Sequence, residues 1–102
     1  MRQLALDDIV RSLATATRTP HMAVRCSSVG FISLLDCPGL DQDTVQTLAR
    51  TGWAMLAFSS FVDGALCAHE IEQQLAAREA KPTDVVFTLV HADGTVRSNA
   101  AG

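Results

Sequence analysis

The chain has 102 residues, 48% apolar and 19% charged, with eight basic and eleven acidic groups for a net charge of −3. That length bounds it to a single domain, residues 1–102, with enough surface to bury for a core that needs no staples. The basic residues Arg2, Arg11, Arg18, Arg25, Arg50, Arg78, Lys81 and Arg97 are scattered, and Phe and Trp are few, which excludes a phosphate-neutralising stripe and a base-stacking platform.

Ala5–Arg18 reads as the first helix. Leu6, Ile9, Val10, Leu13 and Ala16 recur on one face, and Asp7, Asp8 and Arg18 complement the macrodipole. Pro20 stops it, because the residue before a proline avoids helical angles. The period then changes. Met22, Val24 and Cys26 alternate with Ala23 and Arg25, and Phe31–Leu35 is a second β-prone run beyond the turn residues Ser27–Gly30, so Met22–Asp36 reads as a hairpin.

Cys37-Pro38-Gly39 is a turn, and Asp41 sits where an N-cap belongs. From there Leu40–Ala80 reads as helix almost without interruption. Val45, Leu48, Ala49, Gly52, Met55, Leu56, Ser59 and Val62 keep helical spacing. A second stripe of Phe58, Phe61, Ala65, Ala68, Ile71 and Leu75 follows on a rotated face. One helix from Gln42 to Arg78 would be roughly 55 Å long at 1.5 Å per residue, so it must break, with Asp63-Gly64 the expected place, or protrude under a partner. Lys81-Pro82-Thr83 ends the region. Val85–Val90 is the clearest strand, Asp93-Gly94 a tight turn, and Thr95–Ser98 the return strand, with Ser98–Gly102 a flexible tail. The expected fold is α+β, in the order α-β-β-α(α)-β-β, with a mainly antiparallel sheet packed against a long or broken central helix.

Reactive side chains form no convincing set. Cys67 and His69 are two apart on a helix and point about 200° apart, so they cannot share a local site. Cys26, Cys37, His21 and His91 show no paired zinc spacing, and Glu70 falls on the polar side. Cys37 precedes a helix whose N-terminus would lower a thiol pKa, but Asp36 opposes the thiolate. Asp36, Asp41 and Asp43 lack the glycine and late glutamate of a calcium loop, and capping accounts for Asp41 and Asp43. No catalytic residue, metal or cofactor is assigned.

The over-apolar stretch Gly52–Val62 is the interaction candidate, because tryptophan anchors interfaces and methionine and phenylalanine adapt to partner surfaces. Trp53, Met55, Leu56, Phe58, Phe61 and Val62 are the expected contact residues. Val85–Val90 offers a second interface if it forms a sheet edge. Asp7 and Asp8 fall where a signal peptide would be apolar, and the longest apolar run is about half a bilayer span. Three irregularly spaced cysteines fit a reducing compartment.

The leading expectation is a small cytoplasmic, non-enzymatic regulatory or adaptor protein, homodimeric and binding another protein. Sequestering a transcription regulator or enzyme is one mechanism, with no direct contact to nucleic acid or membrane. The alternatives are a thiol-dependent enzyme or redox protein using Cys37 or Cys67, and a small-ligand sensor with a pocket between sheet and helix.

Overall fold

The computed structural model describes residues 3–26, 40–77 and 85–99. They form α1 (Gln3–Thr17), β1 (His21–Cys26), α2 (Gln42–Thr51), β2 (Trp53–Ala57), α3 (Phe61–Ala77), β3 (Val85–Val90) and β4 (Val96–Ser98). The four strands make one sheet in the order β2-β1-β3-β4, every pair antiparallel. The α+β class and the antiparallel sheet with helices against it are as the sequence leads one to expect.

Both faces of the sheet are covered, and β1 serves both. Met22, Val24 and Cys26 share the larger core with Ala54, Leu56 and Phe58 of β2 and its flank, Val85, Phe87 and Leu89 of β3, Leu48 of α2, and Cys67, Ala68 and Ile71 of α3. On the other face Ala23 and Val90 meet Leu6, Val10 and Ala14 of α1, with Trp53 and Met55 packed alongside. A strand buried on both sides tends toward a near-continuous apolar run, as Met22-Ala23-Val24 in β1 and Val85-Val86-Phe87 in β3 show.

The middle of the chain departs from the expected helix. Residues 53–57 are a strand. Helix α2 begins at N-cap Asp41, whose Oδ1 accepts from the Thr44 amide at 2.9 Å and the Thr44 hydroxyl at 2.8 Å. Those bonds, the amide first, hold the Asp41 carboxyl below the usual aspartate value. Its stabilising effect is therefore complete above the unfolded-state pKa and is lost as pH falls through the lowered one. The helix ends at Gly52, which takes φ 82° and donates to the Leu48 carbonyl at 2.9 Å. A left-handed glycine closes a helix because no Cβ opposes that angle. The Cys26 amide then donates to the Gly52 carbonyl at 3.0 Å, and the chain continues as β2 in register with β1, Arg25 opposite Trp53 and His21 opposite Ala57.

Gly64 is not a break either. It lies inside α3, where an added Cβ would stand 3.2 Å from Leu89 Cδ1 and 3.3 Å from Phe58 Cδ2, so its role is close approach of helix to sheet. The longest dimension of the fold is 33 Å, too short for the roughly 55 Å helix considered above.

Three other expectations change or fall outside the structure. Val85–Val90 is not an edge, because β1 and β4 flank it; β2 and β4 are the edges among the described residues. The tail is tied down further than expected: Ser98 belongs to β4, and Asn99 accepts from the Phe87 amide at 2.8 Å and donates to the Val85 carbonyl at 2.9 Å. The side-chain amide thus extends the ladder by one residue. The expected strand Phe31–Leu35, the Cys37-Pro38-Gly39 turn and Lys81-Pro82-Thr83 lie outside the described residues. No described helix is long and apolar enough to cross a membrane.

Between α1 and β1, Arg18 takes φ 55°, and the Thr19 amide reaches back to the Ala14 carbonyl at 3.3 Å. This is a Schellman closure with arginine where glycine usually sits. Arg18→Gly is expected to stabilise the fold by about 0.5–1 kcal/mol, the relief of left-handed strain less the added freedom of the unfolded chain. Denaturant unfolding measures it, and an unchanged or lower midpoint would refute it.

Candidate functional site

The six expected contact residues do not form one surface. Alternation along β2 and into the chain after it sends Trp53 and Met55 to the α1 side of the sheet, and Leu56 and Phe58 into the larger core. Phe61 and Val62 open α3 and remain 58% and 60% exposed. Leu66, one turn beyond Val62, is 49% exposed. The inward face of α3 carries Gly64, Cys67, Ala68 and Ile71. Helix α3 is therefore apolar on both sides over its first two turns, which is the part of the over-apolar reading that holds in space.

A second apolar strip runs beside α1. The Thr88 hydroxyl donates to Asp7 Oδ1 at 3.2 Å, which ties one flank of α1 to β3. Ile9 and Leu13 are exposed on the opposite flank, the side on which β2 lies with half-buried Trp53 and Met55. Sequence periodicity assigned Ile9 and Leu13 to the core. They sit at the margin of a narrower stripe made by Leu6, Val10 and Ala14.

At the end of the sheet where β1 begins and β3 finishes, a cleft of about 300 Å³ lies between Arg18-Thr19-Pro20, Ser59-Ser60-Phe61 and His91-Ala92-Asp93. Each wall has a local cause. The left-handed turn at Arg18 delivers Pro20, whose carbonyl accepts from the Phe58 amide at 2.9 Å. Ser60 caps α3, its Oγ accepting from the Asp63 amide at 3.2 Å, while Ser59 Oγ donates to Asp63 Oδ2 at 2.7 Å. The His91–Thr95 turn is closed by the His91 amide donating to the Thr95 carbonyl at 2.9 Å. The Thr95 amide donates to Asp93 Oδ1 at 2.9 Å and is the main reason the Asp93 carboxyl lies below its usual range; nearby His91 adds to the shift.

His91 is the unusual member. The residue is only 5% exposed, its ring centroid lies 4.1 Å from that of Phe61 at a 33° tilt, and its buried Nδ1 has no hydrogen-bond partner. His21, also buried, donates from Nδ1 to the Thr19 carbonyl at 2.9 Å, so its ring is satisfied. The sequence places His21 at the start of one strand and His91 just after another, with no partner for either. What the sequence could not supply was the return of Phe61 over His91 from thirty residues away.

Cys26 and Cys67 are buried, and His69 is exposed on the far side of α3 from Cys67. Cys37 and Asp36 lie outside the described residues. Among the described residues no three His, Cys, Asp or Glu side chains converge as a metal site. A wider hollow of about 520 Å³ runs along α2, but Asp43, Gln46, Thr47, Ala49 and Arg50 all come from that single helix. No family model, curated protein or solved structure matches the chain.

Proposed function

We propose that the protein is a small non-enzymatic regulatory or adaptor domain that works by protein–protein binding, and that it self-associates through the outer face of α3. One observation carries the reading: Phe61, Val62 and Leu66 stay largely exposed on a helix whose opposite face already fills the core. Exposed apolar groups at i and i+4 on a helix bury most readily against a second helix or groove. The acidic balance, scattered arginines and few aromatics support a protein partner rather than nucleic acid. Buried Cys67, turned away from His69, gives the thiol-enzyme alternative no support. The reading takes the domain as cytoplasmic, on its cysteine usage.

The test is solution mass by light scattering over a concentration series. The wild type is expected at twice 10.9 kDa at high concentration, and the double variant Val62→Asp, Leu66→Asp at 10.9 kDa throughout with its circular dichroism unchanged. A wild-type monomer at every concentration, or a double variant that still dimerises, would overturn self-association through α3.

A further inference from the structure

We propose that the outer edge of β2 takes up an extended, uncharged segment of a partner protein, which adds to the sheet as a further strand beside Met55 and Ala57. The inference rests on the adaptor reading and names the chemistry of its partner; the outer face of α3 is not involved.

The pairing of β1 with β2 decides which backbone groups of β2 are already used. At its two ends the Phe58 amide donates to the Pro20 carbonyl at 2.9 Å and the Cys26 amide to the Gly52 carbonyl at 3.0 Å. In an antiparallel pair only alternate residues exchange bonds. The register therefore turns the amides and carbonyls of Ala54 and Leu56 toward β1, and those of Trp53, Met55 and Ala57 toward the open side. Trp53 is covered locally, because Thr51 Oγ1 lies 2.7 Å from its carbonyl and accepts from its amide at 3.4 Å. Met55 and Ala57 have no backbone partner on that side among the described residues.

The two edges of the sheet differ. Strand β4 is three residues long and carries Arg97, paired with Glu72. Shortness and charge are the usual protections of an edge. Strand β2 is five residues long, has neither charge nor proline, and runs in register with β1 without a bulge. An edge without those protections is the template for strand addition.

Hydrogen bonding and charge restrict the occupant. Donors and acceptors repeated two residues apart match another extended backbone, whereas a helix has already used its own. On the α1 side of the edge lie half-buried Trp53 and Met55 and exposed Ile9 and Leu13. None of the four is charged, and Asp7 is held on the far flank of α1 by Thr88. A charged side chain entering there would lose water and meet no counter-charge. The residues of the incoming strand that face α1 are therefore apolar.

The experiment is fluorescence anisotropy of the full chain with a short, capped, fluorescein-labelled peptide of alternating valine and threonine. The control is a copy N-methylated at every residue, which keeps the side chains and removes the donors. Saturable binding is expected for the first peptide and none for the second, with the Met55 and Ala57 amides gaining protection from hydrogen exchange. Ala57 is exposed and its amide faces outward, so Ala57→Pro is expected to leave the urea midpoint unchanged and to weaken binding about ten-fold or more. The double variant Val62→Asp, Leu66→Asp is expected to bind the peptide as the wild type does, so a loss of self-association and a loss of peptide binding are separate results. No saturable binding up to about 1 mM, equal binding of the methylated copy, or protection elsewhere in the chain would overturn the proposal. An Ala57→Pro chain that unfolds would overturn it by placing that amide in the β1 ladder. So would a double variant heavier than 10.9 kDa that Ala57→Pro returns to monomer, because the edge would then belong to a second copy.

Discussion

Phe58→Asp is expected to abolish folding, while Phe61→Asp, three residues along, is expected to leave the fold intact. Both phenylalanines belong to the stretch that reads as one apolar helix. Phe58 is 7% exposed and packed with Leu56 and Leu89 beneath Gly64 of α3; Phe61 is 58% exposed. Placing a carboxylate in that core removes an aromatic contact and leaves a charge with no partner, a loss of more than about 4 kcal/mol. A domain of this size has roughly 5–15 kcal/mol in total. At Phe61 the same change falls on a side chain that is mostly in solvent and rests against the His91 ring. Far-UV circular dichroism with urea titration separates the two, and a folded Phe58→Asp would show that this part of the core is misplaced.

Phe87→Ala is expected to cost about 3–5 kcal/mol and to lower the melting temperature by roughly 15 °C. Phe87 is the largest fully buried side chain among the described residues, at the middle of β3, opposite Val24 and facing α3. Its neighbours on that face are held by the sheet register on both sides, so they cannot close over the vacated volume. The backbone ladder is preserved, because the Phe87 amide still reaches Asn99. Thermal and urea unfolding give the value, and a loss under about 1 kcal/mol would mean that the core collapses to fill the void.

Most elements were legible where one local rule sufficed. The stripe on α1, the Asp41 cap, β3 and the Asp93-Gly94 turn each rest on neighbours a few residues apart. The strand β2 was not legible, because Gly52, Met55, Leu56, Ser59 and Val62 satisfy a helical period by coincidence while Ala54, Leu56 and Phe58 satisfy alternation. The deciding signal was present: a glycine directly after the helical stripe and a serine pair after Phe58 bracket a strand-length run. Its weight depends on β1 being there to receive β2, and that is a tertiary fact. The cleft was illegible for the same reason, since Arg18, Phe61 and His91 meet only when three segments far apart in the chain converge.

The sheet order also sets a timetable. The central strand β1 is synthesised first among the strands, yet its neighbours β2 and β3 arrive about thirty and sixty-five residues later. Among the described strands, only β3 and β4 are joined by a short turn. An early strand that must wait for late partners makes for slow closure of the sheet and a long interval in which Met22, Val24 and the other face of β1 are unprotected. A nascent chain halted before Val85 would hold β1 with one edge unpaired, which makes the last third of synthesis the vulnerable stage for aggregation.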